Sequence, residues 1–460
     1  MSVELVAQRP TSGTPRRYEF PPFERHRLPN GLTVLTVEMP GRPLVSASLI
    51  LRNGASDEKP AEAGATVLAA RALSEGTERY DAIALVEAAE RLGASLHAEA
   101  GWDATTAGVD VPAERLEPAL DLLAEMVGRP TFPTAEVDRL REERLNDILQ
   151  ARADPRRRVE EGFVDTIYTP DSPYRRPSGG LRETVETLRP EILGGTHRRG
   201  LDPEQITLVV GGDLEGLDVP DIAERLFGGW VARPGSARPG PVVGRSAVPR
   251  RFVRLFDRPG SVQTEIRIGH VGLPRRIPDF HAVSVMSTIL GGLFNSRLNM
   301  NLREDKGYTY GANAGFDMRR GAGPFSARAA VNTEVTVPSI REMLAELGRL
   351  RQEPVTAAEL SAGRDFLVGV FPLRFETPGP VVGALAGLVV HDLPDDELSR
   401  YRPALEAVMI DDVQAAATAH IDPDRAAIVL VGDAERIASE LETGDFGPVE
   451  VVPAEEEAGT

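Results

Sequence analysis

The apolar positions of this chain switch between a period of two and a period near three and a half, and each switch marks an element. Residues 32–37, 45–52, 95–100, 104–111 and 206–210 are short apolar and β-branched runs bounded by turn pairs such as Asn30-Gly31 and Asn53-Gly54. They predict strands. Between them, residues 61–72 read as an Ala-rich helix ending near Gly76. Ile83, Val86, Ala89 and Leu92 recur at three-residue steps along a second helix, 81–92. Leu116, Leu120, Leu123 and Val127 form one core-facing stripe. Pro130 and Pro133 break that pattern, and Thr134 is expected to cap a long charged helix reaching about Arg152. A loop around 171–180 and a helix through Glu191 lead to the strand at 206–210, which ends in a turn at Gly211-Gly212-Asp213.

The same plan then recurs. Residues 252–256, 264–271, 312–317 and 325–331 predict strands, and 278–290 a helix. Residues 338–350 predict a helix with Ile340, Met343, Leu344, Leu347 and Leu350 on its inner face. Asp202-Pro203 precedes Gly211-Gly212-Asp213, and Asp422-Pro423 precedes Gly432-Asp433; the aspartates are 11 residues apart in both cases, and the copies are offset by 220. Thr134 and Thr356, each just after a proline, are offset by 222. Two landmarks agreeing this closely indicate a duplication. The expected fold class is α+β: two homologous sheet-plus-helix domains in tandem. Residues 231–249 hold four prolines and several glycines and predict the linker. The expected division is a flexible N-terminus 1–24, an N-terminal domain 25–230, the linker 231–249, a C-terminal domain 250–445 and an acidic tail 446–460, disordered from Val451.

Composition then narrows the function. The 460 residues exceed what one core usually serves. An apolar fraction of 41% and a charged fraction of 27% are those of a soluble globular protein. The net charge of -18 argues against nucleic acid or an anionic membrane as partner. No stretch approaches the ~20 apolar residues of a membrane span, and residues 1–16 lack the apolar core of a signal peptide, so the cytoplasm is expected. There is no cysteine, hence no disulfide framework and no thiolate. His26, His97, His197, His270, His281, His391 and His420 include no pair three or four residues apart, so no helical ligand pair can form. His197 and His420, each shortly before an Asp-Pro, are read as structural. No nucleophile elbow, phosphate loop or dinucleotide fingerprint is present.

One stretch stands apart: Gly291-Gly292-Leu293-Phe294-Asn295-Ser296-Arg297-Leu298, running through Leu302-Arg303-Glu304-Asp305-Lys306-Gly307 to Tyr308-Thr309-Tyr310. Arg303 falls near the end of a helix, where a cation suits the dipole, and Gly307 is placed as its C′ residue. A strand is expected from Tyr308, with Tyr310 returning beside Arg303. The guanidinium and the phenol would both donate to a carbonyl. From these residues alone, a capped helix followed by an ordinary strand is the simpler reading.

The landmarks together resemble the pitrilysin/insulinase-type peptidases, in particular the smaller bacterial and mitochondrial-processing-peptidase-like members. The resemblance spans roughly 24–445. It is carried by Leu28-Pro29-Asn30-Gly31-Leu32, Arg129-Pro130-Thr131-Phe132-Pro133, Ser172-Pro173-Tyr174 with Pro177 and Gly180, Leu290-Gly291-Gly292, Ser296-Arg297-Leu298, and Leu302-Arg303-Glu304 with Gly307 and Tyr310. Active members of that family carry an inverted zinc motif, His-x-x-Glu-His, between a Gly and a Gly-Thr. Here the flanks are Gly64 and Gly76-Thr77, and the three functional places fall on Val67, Ala70 and Arg71. The third ligand, a Glu, would fall within 144–148, where Asp147 is the acid. The family's substrate-holding Arg and Tyr, seven residues apart, match Arg303 and Tyr310. The resemblance therefore implies a non-catalytic subunit of a heterodimeric zinc metallopeptidase. It would hold no metal, supply Arg303 and Tyr310, and act on peptides with a homologous partner that carries His-x-x-Glu-His and the zinc. The alternative within the same superfamily is an inert structural or peptide-binding subunit, homodimeric or part of a larger complex.

Overall fold

The computed structural model describes residues 17–232, 240, 242 and 244–454, and two six-stranded sheets organise them. In the first half, β1 (Phe23–Arg27), β2 (Thr33–Glu38), β3 (Leu44–Leu51), β4 (Ser95–Ala100), β5 (Thr105–Pro112) and β6 (Ile206–Gly212) lie in the order β1-β2-β6-β3-β5-β4. In the second, β7 (Phe252–Asp257), β8 (Gln263–Val271), β9 (Ala312–Phe316), β10 (Pro324–Asn332), β11 (Ala427–Gly432) and β12 (Val449–Val452) lie in the order β12-β7-β11-β8-β10-β9. Each sheet inserts its late strand between two early ones, β6 between β2 and β3 and β11 between β7 and β8, parallel to the first neighbour and antiparallel to the second. The fold is two homologous α+β units in tandem.

The outermost strand is where the copies differ. β1 comes from the start of the chain and runs antiparallel to β2, while β12 comes from its end and runs parallel to β7. The same edge is covered from opposite chain ends.

Helices α1 (Ala65–Ala72), α2 (Ala82–Arg91), α3 (Leu116–Gly128), α4 (Thr134–Ala153) and α5 (Pro155–Ile167) belong to the first half. Val34, Leu49 and Leu208 face a core shared with Leu68 of α1 and with Leu120 and Leu123 of α3. Their strand neighbours Leu35, Ile50 and Val209 face the other way, as a period of two requires. That second face is covered by Val381, Val382, Leu385 and Leu388 of the helix Pro378–Val390, which belongs to the second half. The reverse also holds: Val159, Phe163 and Ile167 of α5 cover Phe256, Val429 and Val431 of the second sheet. Each half thus lends the other a helix, so β6 and β11 are buried along their whole length. A polar clasp adds to the exchange: Asp103 Oδ2 accepts the Arg320 N–H at 2.6 Å, and its Oδ1 accepts the Tyr174 hydroxyl at 3.2 Å.

Several expectations are corrected. Thr134 opens α4 without capping it: Pro133 is the cap residue and no side chain bonds there. Its counterpart Thr356 does cap, accepting the Glu359 N–H while Glu359 reaches back. In α2, Leu85 and Ala89 are buried, while Ile83 and Val86 stay 73% and 52% exposed. Steps of three drift around a helix of 3.6 residues per turn, whereas Leu85 and Ala89 share a face. Val451 lies in β12, not in a disordered tail, and Phe20 is buried against the helix from the second half, not loose. The apolar pattern does not predict β1, α5 or the helix Pro378–Val390; α5 is heavily charged and the other helix opens Pro-Gly-Pro. Residues 1–16 and 455–460, and linker positions 233–239, 241 and 243, lie outside the described residues. Among those described, no helix is long and apolar enough to cross a membrane.

Candidate functional site

Helix α1 starts at Gly64, whose φ of +95° is left-handed and where a Cβ would come within 2.7 Å of the Gly179 carbonyl oxygen. Both facts require glycine. Buried Glu58 accepts the Gly64 and Thr66 N–H groups at 3.0 and 2.6 Å and receives Arg176 Nη2 at 2.7 Å, so a paired carboxylate holds the positive end of the helix. Burial raises the Glu58 carboxyl above its ordinary range, against the lowering pull of Arg176.

Along this helix Val67 is half-buried, Ala70 is buried and Arg71 is half-exposed. Arg71 Nη2 meets Glu143 Oε2 of α4 at 2.9 Å. Arg139 of α4 meets Glu75, Glu136 and Glu143 at 2.8, 2.8 and 2.6 Å. Asp147 lies one turn beyond Glu143 and interacts electrostatically with Arg144. Zinc is held by imidazole, carboxylate or thiolate ligands. These positions offer an isopropyl group, a methyl group and a guanidinium that opposes a second cation. The residues present do not fit zinc. Among the described residues, no group of three or more His, Asp or Glu is placed to hold a metal ion.

The stretch in the second half has a different construction. The helix Phe280–Ser287 widens into a π-turn at Thr288–Gly292, and a short helix at Arg297–Asn299 widens again at Met300–Asp305. Such widened turns are uncommon and gather at functional sites. Gly291 is needed because a Cβ there would overlap the Ala314 backbone. Arg297, 8% exposed at its side chain, forms a two-pronged pair with Glu359 at 2.6 and 3.2 Å. Burial raises the Glu359 carboxyl, but the Arg297 and Thr356 hydrogen bonds outweigh it and hold it at about 2. Leu298 and Leu302 enter the core, which turns Arg303 outward.

Arg303 stands with its guanidinium 4.3 Å from the Phe294 ring centre and its Nε 3.3 Å from Glu304. Gly307 has φ +67°, as its expected C′ role requires. Its N–H donates to the Arg303 carbonyl at 3.2 Å and the Tyr308 N–H to that of Leu302 at 2.8 Å. Tyr308 does not begin a strand: β9 starts at Ala312, and Thr309 Oγ1 donates to the Ala330 carbonyl at 2.7 Å. Tyr310 is 93% exposed. Among the described residues, no hydrogen bond or ring contact joins Arg303 to Tyr310; the two donors are presented separately on the surface.

The duplication shows what is special here. Gly93, φ +66°, ends α2 as Gly307 ends the Arg303 segment, and β4 begins two residues after it. After Gly307, β9 begins five residues on. The added loop carries Tyr310. Phe294, Asn299, Glu143 and Glu359 are site neighbours that sequence reasoning did not assign. An Asn among Leu298, Met300 and Leu302 was the available signal for one of them.

Comparison with known proteins agrees with this architecture. The family model for insulinase (peptidase family M16) matches residues 33–173, and that for the peptidase M16 inactive domain matches 190–367. An uncharacterized zinc protease of Mycobacterium tuberculosis is 26% identical over 400 residues, covering 85% of this chain and 89% of that protein. One from Bacillus subtilis is 22% identical over 358 residues, covering 77% and 85%. A crystal structure of a peptidase M16 inactive domain from Pseudomonas fluorescens superposes with a TM-score of 0.82 at 26% identity, covering 89% of this chain and 98% of that one. The two family models between them account for well over half of the chain, and it belongs to the insulinase-type M16 peptidase family, as a member whose zinc motif is absent.

Proposed function

We propose that this chain is the non-catalytic, substrate-binding subunit of a heterodimeric zinc metallopeptidase in the cytoplasm. Its partner is a homologous chain that carries His-x-x-Glu-His and the zinc. The observation that carries the reading is a contrast between the halves. In α1 the places of the zinc motif are filled by Val67, Ala70 and an Arg71 bound to Glu143. In the second half, Arg303 and Tyr310 keep the family's spacing, the first half-exposed and the second fully exposed.

The role of this chain follows from what the two groups can do. Arg303 brings a fixed charge with several N–H donors, and Tyr310 a neutral O–H donor. Facing a peptide carbonyl in the partner's site, they would bind its oxygen weakly at first and more strongly as negative charge grows there. Donors placed in advance act most at that moment, and losing one costs about 10²-fold or more in rate. The test is to mix the chain with its zinc-bearing partner and assay peptide cleavage, with each chain alone as control. Cleavage should need both chains, and Arg303→Ala or Tyr310→Phe should lower kcat by about 10²-fold. Wild-type turnover in both variants would instead favour an inert structural or peptide-binding subunit.

A further inference from the structure

Two surface loops present the groups of the candidate site: 293–296, with Phe294, and 308–311, with Tyr310. One buried side chain joins them. Asn299 is 6% exposed. Its Nδ2 donates to the Leu293 carbonyl at 3.0 Å and to Ser296 Oγ at 3.3 Å, and its Oδ1 accepts the Ala312 N–H at 2.8 Å. Leu293 directly precedes Phe294, and Ala312 lies two residues beyond Tyr310. A carbonyl at one end and an N–H at the other fix which way the amide points.

The chemistry suits an amide alone among side chains of this size: two donors on one side and an acceptor on the other. A buried amide left unpaired is costly, so its full set of partners makes the two loops one unit. Phe294 completes that unit. Its ring is 63% exposed, and the Arg303 guanidinium rests 4.3 Å from its centre. A loop tied to Asn299 therefore also steadies the cation.

We infer that Asn299 is the positioning residue of the site, setting the distance between Tyr310 and the Phe294-supported Arg303 so that both donors can meet one peptide carbonyl. The inference rests on the role proposed for Arg303 and Tyr310. It matters because displacing a catalytic group by about 1 Å can cost on the order of 10²-fold in rate.

The test uses the reconstituted pair of chains. Asn299→Asp keeps size and the acceptor for Ala312 but loses both donations; Asn299→Ala is its companion, free of buried charge. Each should lower kcat at least about tenfold with little change in KM. In a Tyr310→Phe background, Asn299→Asp should cost less than it does in the wild-type background, because the hydroxyl it places is already gone and only its hold on the Phe294 loop is left to lose. Separately from activity, Asn299→Ala should speed hydrogen exchange at the Ala312 amide and across 308–311. Full kcat in both Asn299 variants, or losses that simply multiply with Tyr310→Phe, would overturn the inference while leaving the proposed function standing. Full turnover in Arg303→Ala and Tyr310→Phe overturns the proposed function itself. Unchanged exchange in Asn299→Ala rejects the tie between the loops in either case.

Discussion

Arg71 Nη2 lies 2.9 Å from Glu143 Oε2, joining α1 to α4 across the place where the family's zinc motif would stand. The side chains are 38% and 43% exposed, so the pair is worth little in itself. Arg71→Ala should cost less than about 1 kcal/mol, read as a small shift in the urea midpoint. A chelator should leave the melting temperature of the isolated chain unchanged and abolish cleavage by the reconstituted pair. A drop of several degrees in the isolated chain on chelation would show a metal site that these residues do not supply.

The exchanged helices make the two halves stable together. Phe163 of α5 is 1% exposed and belongs to the cluster with Phe256, Val429 and Val431 of the other half. Phe163→Ala should cost roughly 3–5 kcal/mol. A Cβ at Gly162 would overlap the Phe256 ring, so Gly162→Val should also destabilise, through clash instead of cavity. Calorimetry should show one transition for both halves, moved down as a whole in each variant. Two separate transitions would mean that the exchange does not couple them.

Acid should weaken the fold in two stages. Burial holds His197 down at about 4, with its Nε2 2.7 Å from the Val127 carbonyl. The unfolded chain binds that proton near 6.5, so stability is full above 6.5 and falls as pH drops from 6.5 toward 4. The loss should reach roughly 2 kcal/mol at pH 5. Glu359, held at about 2, stabilises above its ordinary value and loses that contribution only as pH falls from about 4.5 toward 2. Denaturant midpoints between pH 7 and 5 should flatten in His197→Gln, while Glu359→Gln should leave that upper stage intact.

Gly307 isolates backbone strain. Its φ is +67°, and nothing lies within 4 Å of where a Cβ would be. Gly307→Ala should therefore cost about 1–2 kcal/mol from conformation alone, and Gly307→Asn less, since Asn tolerates the left-handed region. Thermal melts of the three chains should rank Gly, Asn, Ala. An Ala variant as stable as wild type would show that the turn relaxes.

The repeating strands, α3, the long α4 and the C′ glycine were legible because each follows from local periodicity or a local conformational need. At the places that match the zinc motif, chemistry decides and no fold is needed: Val67, Ala70 and Arg71 are the wrong side-chain types whatever surrounds them. What misled was also local. Tyr308, Thr309 and Tyr310 have strand-forming side chains, yet the Thr309 hydroxyl bonds to the Ala330 carbonyl and the ladder starts only at Ala312.

By itself the sequence determined two homologous α+β halves, the lack of His-x-x-Glu-His in the first and an Arg303–Tyr310 spacing in the second, because side-chain chemistry and hydrophobic period are written residue by residue. Only the tertiary structure decided that α5 and the helix Pro378–Val390 cross to the opposite sheets and that β12 takes at one edge the place β1 takes at the other. It also decided that Asn299 ties the Phe294 and Tyr310 loops together. A β-sheet with apolar side chains on both faces must be covered twice, and the chain does not record which distant segment will do it.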